Sequence, residues 1–259
     1  MKEHPPANKP KIDIERKKTQ EYPREFFELQ IQLARKVAQI LKVPLSEVLL
    51  EYTSLYRRFN LGKKTDASNP LWQEFIASIT DENVDEQAYQ FYLKRKDIEL
   101  PKEGNKEKFG CFTSEYKPKE GYVRMHFSNK EENGSPFDDE NLSKRHEELK
   151  RMFEHVKSNC PEAKVVKGSS WLYNLKKYQR FFPPEYTQNP KPTSRRFTGL
   201  SGWGQFLDKD MKIKPGAANL FHKKLAEAKS LDELLDSLPL RTLEVETKVE
   251  DFYNFYGIK

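Results

Sequence analysis

The stretch Val165-Val166-Lys167-Gly168-Ser169-Ser170-Trp171 decides the fold class of this 259-residue chain. Its first residues are the end of a short strand predicted over 163–166, because β-branched residues favour strands. Three small residues follow, and a helix is predicted over 171–182, where Pro183-Pro184 stops it. A strand that turns directly into a helix is typical of layered folds, in which a sheet packs against helices.

The segments on both sides of this corner extend the same pattern. Upstream, alternating apolar residues predict two strands, 109–116 and 122–128, joined by a turn. Apolar residues at helical spacing then predict a helix that ends at Asn159. Downstream, the pattern predicts helical structure over 215–238 and a final strand over 240–249. Strands and helices in this order predict an α+β fold with a mixed α/β sheet domain.

The N-terminal third differs, because its apolar residues recur at helical spacing with charged residues between them. We predict a helical subdomain over 24–100, in which Asn69-Pro70 begins one of the helices. A polar linker over 101–108 and an α+β domain over 109–259, with the candidate site, complete the organisation. The proline-rich, basic segment 1–23 is predicted to be a disordered leader.

Composition restricts the class of protein. Hydrophobic residues form 36% of the chain, but 17 Phe, 12 Tyr and 3 Trp supply enough area for a packed core. No window approaches the roughly 18 apolar residues of a membrane span, and the start lacks the apolar centre of a secretory signal. Only two cysteines, Cys111 and Cys160, are present, which fits a reducing compartment. We therefore expect a cytoplasmic protein without a membrane partner.

Positive charge is concentrated in residues 164–196. Eight lysines and arginines and a single acid, Glu185, give this segment a net charge of +7, against +6 for the whole chain. Six aromatic residues are interleaved with the basic ones. A positive field beside aromatic faces suits an anionic partner with a flat or apolar part, such as a nucleotide or a phosphorylated cofactor. The pattern does not distinguish between cofactors, so the cofactor stays unknown.

The strand-to-helix corner is the first candidate site for that anion. Free backbone N–H groups and the helix dipole would favour a phosphate there, with Lys167, Ser169 and Ser170 as additional donors. The segment lacks both the P-loop motif and the glycine fingerprint of dinucleotide-binding folds. The alternative interpretation is that Ser169 simply caps the helix.

The strand over 122–128 supplies the candidate catalytic residue. Alternation places Arg124 and His126 on one face of this strand. His126 titrates closest to neutral pH, so it is the natural general acid or base, and Arg124 would hold the anion. The alternative is a half-solvated sheet face without chemistry.

Four further residues complete the predicted ligand site. Trp171 or Trp203 would stack on the ligand, and Asn174 would orient a carbonyl or hydroxyl group. Arg180 would bind phosphate or carboxylate with its planar guanidinium. Two of these residues have alternative interpretations: Asn174 could equally face solvent, and Arg180 could instead secure the prolines that follow it. Trp203 lies in the segment 196–207, which is predicted to be a loop or an irregular strand. No histidine has metal-ligand spacing with a cysteine, so no metal site is predicted.

One segment resembles a known group of proteins. Gly168-Ser169-Ser170-Trp171-Leu172-Tyr173-Asn174-Leu175-x-x-Tyr178-x-Arg180-x-Phe182-Pro183-Pro184-Glu185-Tyr186 is similar to a segment found in bacterial proteins of unknown function. The resemblance covers residues 168–186 and extends to the strand that contains His126. It implies a bacterial protein and no particular activity.

Three functions stay open. The favoured one is an enzyme or small-ligand binder that acts on an anionic, phosphate- or carboxylate-bearing molecule in the α+β domain, with transferase and hydrolase chemistry not distinguished. The second is a nucleic-acid-binding module, which usually needs a longer basic track than about thirty residues provide. The third is a protein-interaction role, in which residues 24–97 form the docking surface.

Overall fold

The computed structural model describes residues 21–98, 106–131, 134–193, 197 and 199–259, with the backbone alone at 200, 201 and 235. The predicted disordered leader therefore lies outside the described residues, except for its last three. Within those three, Tyr22 stacks on Phe26 with a ring-centroid distance of 4.8 Å. The end of the predicted leader thus belongs to the helical core.

The N-terminal region is helical, as predicted. Its helices are α1 (Arg24–Leu41), α2 (Leu45–Tyr52), α3 (Leu55–Arg58), α4 (Pro70–Ser78) and α5 (Val84–Arg95). The helix start at Asn69-Pro70 is confirmed, because the Asn69 side-chain oxygen accepts hydrogen bonds from the N–H groups of Leu71 and Trp72. The buried Gln30 on α1 accepts hydrogen bonds from the N–H and the hydroxyl of Ser54, at 2.7 and 2.8 Å, which ties α1 to the turn before α3.

The rest of the chain forms a mixed sheet with helices around it. The strands are β1 (Lys106–Phe109), β2 (Phe112–Lys117), β3 (Tyr122–Phe127), β4 (Val165–Ser170), β5 (Lys191–Pro192) and β6 (Leu243–Lys248), in the order β1-β2-β3-β4-β6-β5. The helices are α6 (Leu142–Asn159), α7 (Lys176–Gln179), α8 (Pro184–Thr187), α9 (Leu200–Trp203), α10 (Pro215–Glu227), α11 (Leu231–Leu235) and α12 (Val249–Tyr256). Among the described strands only β3 and β4 pair parallel, and α6 provides the crossover that a parallel pair requires. The predicted α+β fold is confirmed.

The strand that leads into the strand-to-helix corner is longer than predicted. The strand expected over 163–166 is β4, and Gly168, Ser169 and Ser170 continue it instead of turning away. They do so because they pair antiparallel with residues 243–245 of β6. The three small residues therefore belong to the sheet, and the pairing with a distant strand overrides their local preference for a turn.

The helix predicted over 171–182 is two short pieces. A 3-10 helix covers Trp171–Asn174, and Leu175, in an extended conformation, separates it from α7. The cap is Ser170 and not Ser169, because the Ser170 hydroxyl oxygen accepts the N–H of Leu172 at 3.1 Å. The corner thus lacks the long aligned helix that would direct a strong dipole at a phosphate.

Two hydrophobic clusters divide the molecule differently from the predicted boundaries. The helical cluster joins α1–α5 with α9, α10 and α11, and it buries Trp203, Phe206 and Phe221 from the C-terminal half. The sheet cluster lies between the sheet and the helices that cover it. Residues 109–259 therefore contribute to both cores. The segment 196–207, expected as a loop or an irregular strand, contains α9 and a 3-10 helix.

Alternation along the strands gives the sheet two unlike faces. The covered face carries Phe112, Val123, Met125 and Val166 and packs against α6 and α12. The strand residues between these ones point to the other side of the sheet, which we call the open face. The predicted linker also contributes to the sheet, because its residues 106–108 are in β1, whereas 101–105 lie outside the described residues.

Candidate functional site

The open face brings together four of the predicted site residues. Arg124 and His126 lie on β3, and Lys167 and Ser169 lie on β4. Because side chains alternate along a strand, all four point away from the covered face. Arg124 and Ser169 are exposed, and His126 and Lys167 are half-buried. These side chains therefore share one solvent-accessible surface.

A row of charges crosses the middle of the open face. Glu115 on β2 is opposite Arg124, Arg124 is beside Lys167, and Lys167 is opposite Glu246 on β6. Lys167 Nζ lies 3.2 Å from a carboxylate oxygen of Glu246. Arg124 makes no ion pair with the described residues, and its Nη2 instead donates to the Tyr122 hydroxyl at 3.4 Å. The row thus contains an unpaired guanidinium next to an ammonium group.

Glu115 and His126 form a hydrogen-bonded pair on this face. His126 Nε2 lies 2.9 Å from Glu115 Oε2. Although burial raises the pKa of Glu115, hydrogen bonds from Lys117 and His126 and the charge of Lys106 lower it to about 2. The carboxylate is therefore ionised at neutral pH and acts only as an acceptor. It follows that Nε2 of His126 carries the proton and that Nδ1 keeps the lone pair.

The protonation of His126 suits a general base. Burial lowers the pKa of His126 below its ordinary value of 6.5, against the opposing effect of its hydrogen bond with Glu115. The imidazole is therefore neutral at pH 7, with its orientation set by a carboxylate. This is the arrangement that lets a histidine accept a proton and then stabilises the imidazolium that forms.

The helical region adds a further cation near the open face. The pKa of Arg57 on α3 is lowered by burial and by repulsion from Arg58 and Arg124. No hydrogen bond or ion pair of the Arg57 side chain occurs within the described part of the chain. An anion between Arg57 and Arg124 would relieve this repulsion.

The two central strands separate at their carboxyl ends. The pairing of β3 with β4 ends at Met125 and Gly168. Beyond that point β3 stays paired with β2, and β4 stays paired with β6, for two more residues each. His126 and Ser169 are the first residues on the two sides of this gap. Crevices outside the carboxyl ends of parallel strands are preferred ligand sites in open sheets.

Three predicted residues at the corner do not reach the open face. Ser170 points toward the covered face, where its hydroxyl serves as the helix cap. Asn174 donates its side-chain N–H groups to the carbonyl oxygens of Trp171 and Arg241, at 2.7 and 2.8 Å. The ring of Trp171 faces the ammonium group of Lys214 at 5.8 Å. These contacts secure the corner against neighbouring segments.

Arg180 and Trp203 lie apart from the other predicted residues. Arg180 donates to the Asp139 carboxylate and, at 2.7 Å, to the Phe137 carbonyl, so it secures the segment before α6. Trp203 is fully buried in the helical cluster, where its Nε1–H donates to the Phe197 carbonyl at 2.9 Å. Trp203 therefore presents no ring face for stacking, which corrects that part of the predicted site.

The basic segment 164–196 does not act as one patch. Lys167 points to the open face, whereas Lys177 lies 3.7 Å from the Asp138 carboxylate near the start of α6. Arg195 and Arg196 lie outside the described residues. The aromatic residues of the segment, apart from Trp171, are buried in the sheet cluster: Tyr173, Tyr178, Phe181, Phe182 and Tyr186. The interleaving of basic and aromatic residues thus reflects core packing beneath a charged exterior.

The site also contains residues that the sequence analysis missed. Glu115 is the most important, and its signal is present in the sequence, since the predicted hairpin with its turn at 117–121 aligns Glu115 with Arg124. Arg57 has no comparable signal. The effect of the Arg124 charge on Arg57 depends on how the helical region packs against the sheet, and no local pattern specifies that packing.

Comparison with known protein families, with curated proteins and with solved structures gave no match to this chain. Within the described residues, no three His, Cys, Asp or Glu side chains cluster in a way that would hold a metal ion. None of the described helices combines the length and apolar character needed to cross a bilayer. The open face is therefore the basis for inferring a function.

Proposed function

We propose that the protein is an enzyme that binds a small anionic molecule on the open face and uses His126 as a general base. One observation carries this proposal: the 2.9 Å hydrogen bond between His126 Nε2 and Glu115 lies on the same face as Arg124 and Lys167. The Glu115–His126 pair supplies the base, and the two cations supply the anion site. The substrate class is a phosphate- or carboxylate-bearing molecule.

The anion site consists of Arg124 and Lys167 on adjacent strands. Neighbouring strands are about 4.8 Å apart, so the two side chains can reach the same phosphate or carboxylate group. Arg124 has no acid partner within the described residues, and its planar guanidinium matches the oxygens of such a group in a bidentate geometry.

The proton transfer follows from the position of His126. Nδ1 accepts a proton from an O–H or N–H group of the bound molecule, and the electron pair of that bond stays on the oxygen or nitrogen, which becomes a nucleophile. Glu115 then stabilises the imidazolium through the Nε2–H hydrogen bond. Ser169, across the strand gap, is placed to donate its hydroxyl hydrogen to the developing negative charge.

A small molecule is favoured over a nucleic acid because acids limit the positive area. On β6 the open face carries the exposed acids Glu244 and Glu246 together with Lys248, so negative charge interrupts the positive area next to β4. Tyr122 is the one aromatic side chain that β2–β4 present on this face within the described residues. Single-stranded nucleic acids need a longer cationic track with several stacking rings.

The test is a titration with pyrophosphate and with citrate, in which the NMR signals of the His126 ring are monitored. We expect both anions to raise the pKa of His126, because a nearby negative charge favours the imidazolium. Arg124→Gln and Lys167→Gln should each weaken binding by about tenfold, as removal of a charged hydrogen bond does. Lys177→Gln removes the same charge from the same basic segment, away from the open face, and should leave binding unchanged.

Two outcomes would overturn the proposal. One is that neither anion perturbs His126 at millimolar concentration. The other is that an oligonucleotide binds the open face much more tightly than either anion and loses affinity steeply as salt rises, which is the signature of a nucleic-acid-binding module.

A further inference from the structure

Glu115 and Arg124 carry opposite charges and are direct neighbours across the β2–β3 pair. The Cβ atoms of directly opposed residues lie about 5 Å apart, which is close enough for a carboxylate and a guanidinium to meet. An ion pair is therefore the expected arrangement. Among the described residues no ion pair joins the two, and the Glu115 carboxylate instead contacts Lys117, His126 and Lys106.

Both oxygens of the Glu115 carboxylate are occupied by other donors. Lys117 Nζ donates to Oε1 at 2.7 Å, and His126 Nε2 donates to Oε2 at 2.9 Å. Lys106 Nζ lies 3.9 Å from Oε2, which is too far for a hydrogen bond, so it adds only attraction between charges. Lys117 is therefore the residue that engages Oε1.

Burial makes these contacts persistent. The Glu115 side chain is only 8% exposed, although it lies on the open face. Water has little access to a carboxylate in this position, so the loss of a protein donor would leave an oxygen without a partner. Glu115 is also ionised at neutral pH, because its pKa is about 2. An oxygen that lost its donor would therefore turn to the nearest available cation.

Arg124 contacts a neutral group instead of an acid. Its Nη2 donates to the Tyr122 hydroxyl at 3.4 Å, and its guanidinium carbon lies 5.9 Å from the centroid of the Tyr122 ring. A neutral phenol orients a guanidinium without cancelling its charge. Arg124 therefore keeps its charge for an anion as long as Glu115 stays with its other partners.

We propose that Lys117 is a positioning residue of the open face, which holds the Glu115 carboxylate away from Arg124. This role rests on the proposed function, because it concerns the Arg124 guanidinium of the proposed anion site. One carboxylate can then orient His126 through Oε2 without neutralising the cation opposite it. When Lys117 is removed, Oε1 pairs with Arg124 and competes with the anion for the guanidinium.

Isothermal titration calorimetry with pyrophosphate measures the effect on the anion. Lys117→Met should weaken binding by about tenfold, as the loss of a charged hydrogen bond from Arg124 would. Lys119→Met is the matched control, because it removes the same charge from an exposed position in the β2–β3 turn, two residues away. It should bind pyrophosphate as the native protein does, and so should Lys117→Arg, which keeps a cation with N–H donors.

A double-mutant cycle separates positioning from a simple loss of charge. In the Lys117→Met background, Glu115→Gln should restore most of the lost affinity, because a neutral amide competes only weakly for the guanidinium. In the native background the same change should have a much smaller effect, since the carboxylate does not pair with Arg124 there. An equal effect of Glu115→Gln in both backgrounds would overturn the role of Lys117 and would mean that Lys117 contacts the anion directly.

A measurement without any anion distinguishes a failure of this role from a failure of the proposed function. The NMR signal of the Arg124 Nε–H group, assigned by its absence in Arg124→Gln, reports whether the guanidinium has gained an acid partner. We expect Lys117→Met to slow the exchange of this N–H with water severalfold, and Lys119→Met to leave it unchanged. An unchanged rate in Lys117→Met, in a protein whose native form binds pyrophosphate, would overturn the role of Lys117 and leave the anion site standing. A slowed rate in a protein that does not bind pyrophosphate would support the role of Lys117 and contradict the proposed function.

Discussion

The two faces of the sheet are formed by the same strands but obey different physical rules. On the covered face, Gly168 lies beneath the hydroxyl groups of Tyr173 and Tyr186, which hydrogen-bond to each other at 3.0 Å in a buried position. On the open face, the neighbouring Ser169 is exposed. Adjacent residues of one strand therefore differ completely in how much change they tolerate.

The largest expected effect concerns the buried charge that α6 brings to the covered side. Arg145 is fully buried and pairs with Glu131 and Glu148 at 2.7 and 2.8 Å. Arg145→Leu should lower the free energy of unfolding by about 3–5 kcal/mol at pH 7, because it leaves a buried carboxylate without its partner. Urea unfolding measures this effect.

A matched control and a pH series sharpen that result. Arg151→Leu, on the exposed side of α6, should change the free energy of unfolding by less than about 0.5 kcal/mol. Burial raises the pKa of Glu148, so the stability lost in Arg145→Leu should be partly regained as the pH falls and this carboxyl group takes up a proton. An equal loss in both leucine variants would contradict the importance of the buried pair.

The second prediction compares adjacent residues on the two faces. Gly168→Ala should cost about 2–3 kcal/mol, because the new methyl group would overlap the hydroxyl oxygens of Tyr173 and Tyr186. Ser169→Ala, on the open face, should change stability by less than about 0.5 kcal/mol. Thermal or chemical unfolding of the two variants measures the contrast, and similar values would show that the faces are not as different as their burial indicates.

The third prediction concerns the pH dependence that Glu115 gives to the open face. Its pKa is about 2 in the folded protein, against 4.5 for an ordinary glutamate. A depressed pKa stabilises the fold above pH 4.5, and this stabilisation is lost as the pH falls toward 2. Glu115→Gln should therefore cost about 2 kcal/mol at pH 7, after allowance for solvent screening, and almost nothing near pH 2.

Glu244→Gln is the control for that experiment, because Glu244 lies exposed on the same face. Its stability should follow the native protein through the whole acid range. A loss of stability in Glu115→Gln that does not change with pH would mean that packing, and not ionisation, is the contribution of Glu115.

The smallest effect is a change in the titration of His126. Its pKa should lie below 6.5 in the native protein, because burial disfavours the imidazolium. Glu115→Gln should lower this pKa further, since the carboxylate that stabilises the charged ring is removed. An NMR titration of the ring protons measures both values, with Lys177→Gln as a control that should not differ from the native protein. An unchanged pKa in Glu115→Gln would remove the basis for the proposed proton transfer.

The sequence predicts much of the local structure because local signals are strong there. The spacing of apolar residues in α1, the Asn69-Pro70 helix start and the β2–β3 hairpin all depend on residues close together in the chain. It also places Arg124 and His126 on one face, since strand alternation is a local property. The corner is less predictable, because Gly168 and Ser169 pair with β6, a strand more than seventy residues further along the chain.

The sequence by itself determined that this protein combines a helical region with a mixed sheet, and that one strand carries a histidine and an arginine on the same side. Tertiary structure alone decided which charges meet. It paired His126 with Glu115, placed Lys167 beside Arg124, directed Arg180 to Asp139 and buried Trp203 among the N-terminal helices. The reason is physical: periodicity specifies the direction of each side chain relative to its own element, whereas partners across a sheet or a core depend on which distant elements pack together.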